Sequence, residues 1–448
     1  MLKIMHIISL LPLRIIFKIF AGLEIYGREN LKNVKNPVIF VSNHESYFDP
    51  PIISMSLPSF SKFHSIYYFS EDSLFKTTIG KLAKFWGAFP GKLNRGILSG
   101  MRKPLELLWS GKSVIIFPEW CYKQEILARR VDKLIPLISK ESMRPIAPVF
   151  LYGVENLSWK KIFKFQKKVM VFFGKPLYVG NHLSEGEMTK MFFNSLRDAR
   201  TQMIEIIKRK EKKFWGNYSK FYHYLEKADP HKELVEDFKN SIGDVKGRWI
   251  DFGSGLGAIA KILNEKGASN NAEIIATDFE HNFIEELKTR FKEKNNIQVE
   301  FLDLGDQINF EKNSFDGVTA NLVLPYIVCH NDALNLAAFK NVLKNIFEIL
   351  KPGGVFVWSS PKKGVRFWKV FVASRKNIFD FKDKKNIYYS PMILNQALKI
   401  EKRGRRGVYH FLAKEEIDKI LGEIGFVNIT HKMSMAKQVN IIKCEKQI

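Results

Sequence analysis

Short apolar runs bounded by polar or turn residues recur along the chain, with segments of helical period between them. In the first half such runs stand at 37–42 (Pro-Val-Ile-Phe-Val-Ser), 113–117, 146–151 and 169–173, and read as buried strands. A helix is expected at 100–109, stopped by Gly111. After a helical stretch at 218–239 a second series begins, with strands at 248–252, 273–277, 298–302, 317–321 and 355–359. Helices fill its gaps, among them 258–265 and 414–422. Strand and helix in alternation specify an α/β chain of two domains, the second a doubly wound, Rossmann-like parallel sheet. The block Lys208-Arg-Lys-Glu-Lys-Lys213 reads as a solvated charge run and as the junction. The expected division is a helix at 1–25, a domain at 26–207, a basic junction at 208–213 and a domain at 214–448, with an insertion at 361–410.

The N-terminal segment is apolar almost throughout, but Pro12, Arg14, Lys18 and Glu24 interrupt it before it reaches the length of a membrane span. Arg14 and Lys18 are four apart and share one helix face amid Ile15, Ile16, Phe17, Ile19 and Phe20. A basic, apolar helix of this kind lies in a membrane interface. An ordinary buried helix is the other reading, and a cleaved signal a third, for which no small-x-small site precedes the folded pattern.

The chain has 448 residues, 46% of them hydrophobic and 13% aromatic, which excludes a disordered chain. Three scattered cysteines, Cys121, Cys329 and Cys444, exclude a disulfide scaffold and a zinc-finger array, and no metal site is expected. The net charge of +25 is uneven: residues 1–225 carry +19 and residues 226–448 carry +6. The first half is the part drawn to an anionic partner, a membrane surface or a nucleic acid.

The first chemical constellation is Asn43-His44-Glu45-Ser46-Tyr47-Phe48-Asp49, at the end of a strand. Five helical residues rotate by about 140°, so His44 and Asp49 meet only if His44 sits in a turn before the helix. Asp49-Pro50 supplies that helix start, with Asp expected at the N-cap. A histidine with a carboxylate partner is held in one tautomer and made more basic, ready to take a proton from a substrate hydroxyl.

This segment resembles the glycerolipid acyltransferase family, whose first motif is Asn-His-x4-Asp. Further blocks follow in order: Gly87–Pro90 with Lys92 and Arg95 behind it, Phe117-Pro118-Glu119, the segment 144–149 (Arg-Pro-Ile-Ala-Pro-Val), and Phe173-Gly174-Lys175-Pro176. The resemblance covers roughly residues 20–210. It implies the family's α/β fold and a general-base role for His44, oriented by Asp49, in attack of a hydroxyl on an acyl thioester. The donor would be acyl-CoA or an acyl carrier protein, and Lys92, Arg95 and Glu119 would hold the acceptor's polar head. Two departures touch that head site: Trp120-Cys121-Tyr122 stands where the family has Gly-Thr-Arg, and Arg95 comes late. Lysophosphatidate and a larger or less phosphorylated acceptor both stay open. Cys121 reads as structural, since no histidine is placed by sequence to activate it.

The second constellation is Asp251-Phe252-Gly253-Ser254-Gly255-Leu256-Gly257, between a strand and a helix, with Asp278 ending the next strand. The Gly-x-Gly-x-Gly spacing differs from the dinucleotide fingerprint. Asp251 beside it would repel a pyrophosphate but not an ammonium. Both points favour S-adenosylmethionine. The region 214–448 resembles class I methyltransferases, with supporting blocks Asn313-Ser-Phe-Asp316, Leu350-Lys-Pro-Gly-Gly354 and Ile424-Gly425-Phe426. The resemblance implies that Gly253, Gly255 and Gly257 line the methionine and ribose and that Asp278 binds the ribose. It further implies that Asp303 and Leu304 flank the adenine and that Asn321 faces the methyl donor. Asp316 and the Lys-Pro-Gly-Gly turn read as structural. Tyr326 and His330 have a structural reading first and a substrate-side one second. The insertion at 361–410, rich in Phe and Trp amid Lys and Arg, reads as a cap over the acceptor or a membrane-facing flap. Its cluster Lys402-Arg403-Gly-Arg405-Arg406 fits phosphate contact or a solvated face equally.

Together these features point to a fused lipid-modifying enzyme, peripheral on the cytoplasmic face of a membrane, with anionic membrane lipids as partners. The alternative is a methyltransferase of a non-lipid acceptor whose first half only docks. Asn321-Leu-Val-Leu324 stands where an Asn-Pro-Pro-Tyr-type block would, and no aromatic RNA-binding signature occurs, so a nucleic acid partner is not favoured.

Overall fold

The computed structural model describes residues 2–58, 62–63, 66–70, 72–91, 96–118, 125–180, 182–378 and 384–447. It divides into two compact units, Met1–Glu205 and Ile206–Ile448.

The first unit runs α1 (Leu2–Phe20), β1 (Glu24–Tyr26), β2 (Ile39–Ser42), α2 (Asp49–Ser56), β3 (Tyr67–Ser70), α3 (Thr78–Phe85), β4 (Ala88–Pro90), α4 (Ile97–Trp109), β5 (Val114–Ile116), α5 (Glu125–Ser142), β6 (Ile146–Tyr152), α6 (Trp159–Phe163), β7 (Met170–Phe173) and the start of α7 (Glu185–Leu225). Its seven-stranded sheet has the order β1-β7-β6-β2-β5-β3-β4, parallel except between β6 and β7. In residues 39–41 of β2 and in β5 successive side chains point to opposite faces, yet all are apolar, because both faces are covered. Phe40 and Ile115 face the core shared with α1 and α2, while Ile39, Val41, Val114 and Ile116 face the one shared with α4 and α5. The strands expected at 37–42, 113–117, 146–151 and 169–173 are present, with ends shifted by a residue or two. The sequence reading omitted β1, β3 and β4, which hold three or four residues each, too few to show a period.

The expected helix at 1–25 stops at Phe20, and Glu24–Tyr26 turns into a strand paired with β7. Phe17 is fully buried in the core, a contribution of roughly 1.5–3 kcal/mol. Ile8, Leu11, Ile15 and Ile19, spaced three or four apart, form an exposed apolar stripe. No helix among the described residues is long and apolar enough to cross a membrane.

The second unit holds the rest of α7, then α8 (Asp229–Ser241), β8 (Arg248–Phe252), α9 (Ala258–Gly267), β9 (Glu273–Asp278), α10 (His281–Phe291), β10 (Ile297–Phe301), β11 (Phe315–Ala320), the short pair β12 (Cys329–His330) and β13 (Ala333–Leu334), α11 (Asn335–Ile349), β14 (Leu350–Pro361), α12 (Phe367–Ala373), α13 (Arg375–Ile378), α14 (Lys384–Arg405), α15 (Lys414–Ile424), β15 (Phe426–Ser434) and β16 (Val439–Lys446). The sheet order is β10-β9-β8-β11-β14-β16-β15. The five expected strands are there and are parallel, but β16 joins β14 antiparallel and β15 joins β16 antiparallel, so the sheet is mixed. The edge strand β15 buries only Phe426 and Ser434, which left it little apolar pattern to read. The Lys-Pro-Gly-Gly segment is an irregularity inside β14 rather than a turn before it.

The block at 208–213 is neither a linker nor fully solvated. It lies within α7; Lys208 pairs with Asp306, Lys212 with Asp303, and Glu211 with Arg403.

Candidate active sites

In the first unit, β2 ends at Ser42 and leads into a turn carrying Asn43 and His44. Asn43 Nδ2 donates to the Leu151 carbonyl at 2.9 Å, and its Oδ1 accepts from Leu151 N at 2.8 Å, which ties the turn to β6. His44 Nδ1 lies 2.8 Å from Asp49 Oδ2. The same oxygen accepts from the backbone N–H of Glu45 at 2.7 Å and of Ser46 at 2.8 Å. Asp49 is fully buried, and its Oδ1 has no hydrogen-bond partner. The N-cap is Phe48, not Asp49; Asp49 is the first helical residue and its carboxylate reaches back into the turn. A carboxylate there is also favoured by the helix dipole. Burial pushes the Asp49 carboxyl up from its ordinary value, against the downward pull of His44 and the two backbone N–H groups.

The His44 ring rests on Phe117, centroids 4.5 Å apart, and a quarter of its side chain is exposed. With Nδ1–H donated to Asp49, the lone pair is on Nε2, the arrangement of a general base for a hydroxyl. Lys92, Arg95, Glu119 and Cys121 lie outside the described residues.

In the second unit, Gly253 and Gly257 have φ of 64° and 84°. A Cβ on Gly253 would stand 2.4 Å from Val323 Cγ2, and one on Gly257 would stand 2.8 Å from Leu287 Cδ2. The first keeps the turn open beside β11, and the second lets α9 pack on α10. Asp278, at the end of β9, accepts from Gly255 N and Glu280 N, both at 2.9 Å. Burial pushes its carboxyl up to about 6, against the pull of these N–H groups.

A cavity opens beside this turn. Gly253, Gly255, Asp278, Asp303, Leu304 and Asn321 line it, as expected for cofactor contacts. Asp251 and Gly257 do not reach its wall. Asp251 is buried in the sheet, with Oδ1 accepting from Thr319 Oγ1 at 2.7 Å and Oδ2 unpartnered, and burial pushes it up to about 7. Asn321 Oδ1 accepts from Ser359 Oγ at 2.6 Å. Asp303 holds Gly305 N at 2.8 Å through one oxygen and Lys212 at 3.2 Å through the other.

The sequence reading missed the wall contributed by α7. Trp215, Tyr218, Tyr222 and Leu225 all line the cavity and repeat at three- and four-residue steps. That period, in an aromatic-rich segment just before the first strand, was the available signal. Tyr326 also lines the cavity, which takes it out of the purely structural class. His330 is a satisfied core residue: its Nδ1 meets the Leu304 carbonyl at 2.8 Å and its Nε2 meets Asn345 Nδ2 at 2.8 Å. Arg403 belongs neither to a phosphate site nor to a solvated face. It contacts both oxygens of Glu211, at 2.9 and 2.7 Å, and lies over the Phe214 ring at 4.1 Å.

A second cavity adjoins the first and is walled by α12, α13 and α14 of the insertion. Among the described residues no group of His, Cys, Asp and Glu side chains is placed to hold a metal ion.

The first cavity fits S-adenosylmethionine. Asp278 suits ribose hydroxyls, and a Cβ on Gly255 would fill space facing Tyr222, 3.4 Å away. The aromatic wall suits a sulfonium cation. Both lysines on the wall are already paired with aspartates, which disfavours a pyrophosphate.

Comparison with known proteins gives the same two halves. The family described as Acyltransferase matches residues 22–130, and the one described as Methyltransferase domain matches residues 250–358. A demethylmenaquinone methyltransferase of Lactococcus lactis is 26% identical over 250 residues, 55% of this chain and 84% of that protein. A 1-acyl-sn-glycerol-3-phosphate acyltransferase of Bacillus subtilis is 25% identical over 173 residues, 37% of this chain and 79% of that protein. Among solved structures, the CurJ carbon methyltransferase is 18% identical with a TM-score of 0.33, over 48% of this chain; the chain spans about half, 52%, of that protein.

Proposed function

We propose that this chain, in which an acyltransferase domain precedes an S-adenosylmethionine-dependent methyltransferase domain, acts on membrane lipids with both. The observation that carries the reading is the His44–Asp49 pair, in which one buried carboxylate oxygen gathers three N–H donors and sets the imidazole lone pair on Nε2. A glycerolipid hydroxyl gives its proton to Nε2 as its oxygen bonds to the carbonyl carbon of acyl-CoA or acyl carrier protein. The carbon–sulfur bond then breaks, and the leaving thiolate takes the proton back from His44. Asp49 offsets the imidazolium charge between those steps.

In the second domain S-adenosylmethionine supplies an electrophilic methyl group. This chain's residues bind and orient it: Asp278 the ribose, Gly253 and Gly255 the methionine and ribose, Asp303 and Leu304 the adenine, with Asn321 toward the donor. Positioning and water exclusion carry much of an in-line displacement. The apolar stripe of α1 and the basic first half support a peripheral seat on an anionic leaflet.

The test is a lipid mass-spectrometry comparison of a host expressing the wild type, His44→Ala or Asp278→Ala. A new lipid bearing an added acyl chain, lost in His44→Ala, and a methyl increment, lost in Asp278→Ala, is the expected result. A methylated non-lipid product that His44→Ala leaves unchanged refutes the lipid reading and reduces the first domain to a docking module.

A further inference from the structure

Tyr218, Leu225, Leu322, Tyr326 and Ile400 line both cavities of the second unit, so these five residues form the neck where the cavities meet. We propose that the second cavity holds a hydrocarbon chain of the methyl acceptor, with the acceptor's polar, reacting end at this neck. The inference rests on the reading of the second domain as a methyltransferase of lipids, and it specifies how such a lipid is held.

The lining carries the argument. Phe367, Val370 and Phe371 come from α12, and Ile393, Leu394 and Ala397 from α14. Among the described residues that line the cavity, Lys227 is the one that is charged. Two polar side chains on its wall are turned to the protein: Ser374 Oγ donates to the Val370 carbonyl at 2.9 Å, and the Asn377 amide exchanges hydrogen bonds of 2.9 and 3.0 Å with Asp229. A polar guest would lose its water hydrogen bonds here without replacement, whereas an alkyl or prenyl chain loses nothing.

The neck has the opposite character. The Tyr218 and Tyr326 side chains both line the space that joins the two cavities. Burial pushes both hydroxyls up from their ordinary value, so they stay neutral and offer a donor to the acceptor's head. Leu322 between them has φ of +56°, a left-handed backbone that leucine rarely adopts. Such strain concentrates at binding sites. The helices that wall the cavity also carry exposed Trp368, Val372, Tyr388, Met392 and Leu398, an apolar surface fitting entry from a bilayer.

An alkyl chain and a prenyl chain share this chemistry, and the experiment separates them. Full-length protein saturated with S-adenosylhomocysteine is titrated by calorimetry with submicellar N-dodecylethanolamine, which carries an alkyl chain, and with geranylhydroquinone, which carries a prenyl chain. Ethanolamine and hydroquinone serve as chainless controls. The chain-bearing probes bind and the controls do not; whichever chain-bearing probe is methylated when S-adenosylmethionine replaces S-adenosylhomocysteine identifies the head. Ala397→Trp fills the cavity and Leu394→Asn makes its wall polar. Each weakens the chain-bearing probes by about tenfold or more, while S-adenosylhomocysteine affinity changes by less than about twofold. Unchanged probe affinity in both variants, or equal binding of the chainless controls, overturns the proposal. If Ala397→Trp loses S-adenosylhomocysteine binding, it has misfolded, and Leu394→Asn decides. Passing this test while no membrane lipid is methylated would leave the cavity standing and sink the proposed function. Undiminished lipid methylation in both variants would do the reverse.

Discussion

Arg403 stands on α14, six residues beyond Ala397, and reaches Glu211 on α7. Replacing it by methionine keeps much of its length and removes its charge. Tyr409 then remains as the partner of Glu211, donating to Oε2 at 2.9 Å. Removing one member of a fully buried ion pair costs about 3–5 kcal/mol. Here a quarter of the Arg403 side chain is exposed, and solvent screening brings the expected cost to about 2–3 kcal/mol. For the second unit, residues 206–448, this lowers the melting temperature by roughly 4–12 °C. The cost depends on pH in a defined direction. Burial already holds the Glu211 carboxyl above its ordinary value of 4.5, and loss of Arg403 removes its largest opposing influence. The unfolded chain ionises near 4.5, while the folded variant holds its proton to higher pH. Its stability therefore falls as pH rises from about 5 and levels off above the folded-state value. Thermal scans of Arg403→Met at pH 5 and pH 8 measure this, with the second unit's transition identified by its shift on adding S-adenosylhomocysteine. The deficit against wild type is larger at pH 8, and Arg403→Met with Glu211→Gln recovers part of it. Equal deficits at the two pH values, or a double variant no better than the single one, refute the reasoning.

Three further outcomes are expected. In Asp49→Asn the amide oxygen keeps the two backbone donors, and the NH₂ group falls where Oδ1 has no partner. Acyl transfer drops about 10²- to 10⁴-fold and stability by about 1–3 kcal/mol; activity within about tenfold of wild type would remove Asp49 from its orienting role. Asp278 must be ionised to accept from ribose hydroxyls, and its carboxyl is held up to about 6. Calorimetric affinity for S-adenosylhomocysteine therefore weakens by about tenfold per pH unit below that value and is pH-independent in Asp278→Asn; a flat wild-type profile contradicts this. Because Phe17 is buried, deleting α1 would damage the core, so membrane binding is better tested with the exposed positions. Ile8→Ser, Ile15→Ser and Ile19→Ser together should abolish flotation with anionic liposomes while leaving the melting temperature within a few degrees, and intact flotation would discard the anchor.

The parts of this fold that the sequence disclosed are those where one local rule dominates. Strand β5 and residues 39–41 of β2 are continuous apolar runs because parallel strands covered on both faces leave no polar side. The glycine turn and Asp278 were legible because backbone geometry restricts residue type there. His44 and Asp49 were paired correctly, but the carboxylate was placed at the N-cap, since the sequence does not say whether its oxygens face forward or back. The cavity wall on α7 was missed for a different reason. Trp215, Tyr218 and Tyr222 show the same period as a core face, and only the tertiary structure distinguishes a face that packs from one that borders a void. Arg403 was misjudged because charge clusters are read as solvated unless their partner is known, and Glu211 lies 192 positions away.

The strand order of the second unit also sets a schedule. β16 lies between β14 and β15, so the ladder beyond β14 cannot close until residues 439–446 have been synthesised. Ribosomes add about 5–20 residues per second, so roughly 4–17 s separate the end of β14 at Pro361 from the last of those residues. Through that interval the β14 edge waits unpaired, a template for any passing strand. The first unit, whose last strand ends at Phe173, has all its strands in hand before that wait begins. Nascent chains should therefore gain protease resistance in two stages, with the second stage withheld until residues 439–446 have been made.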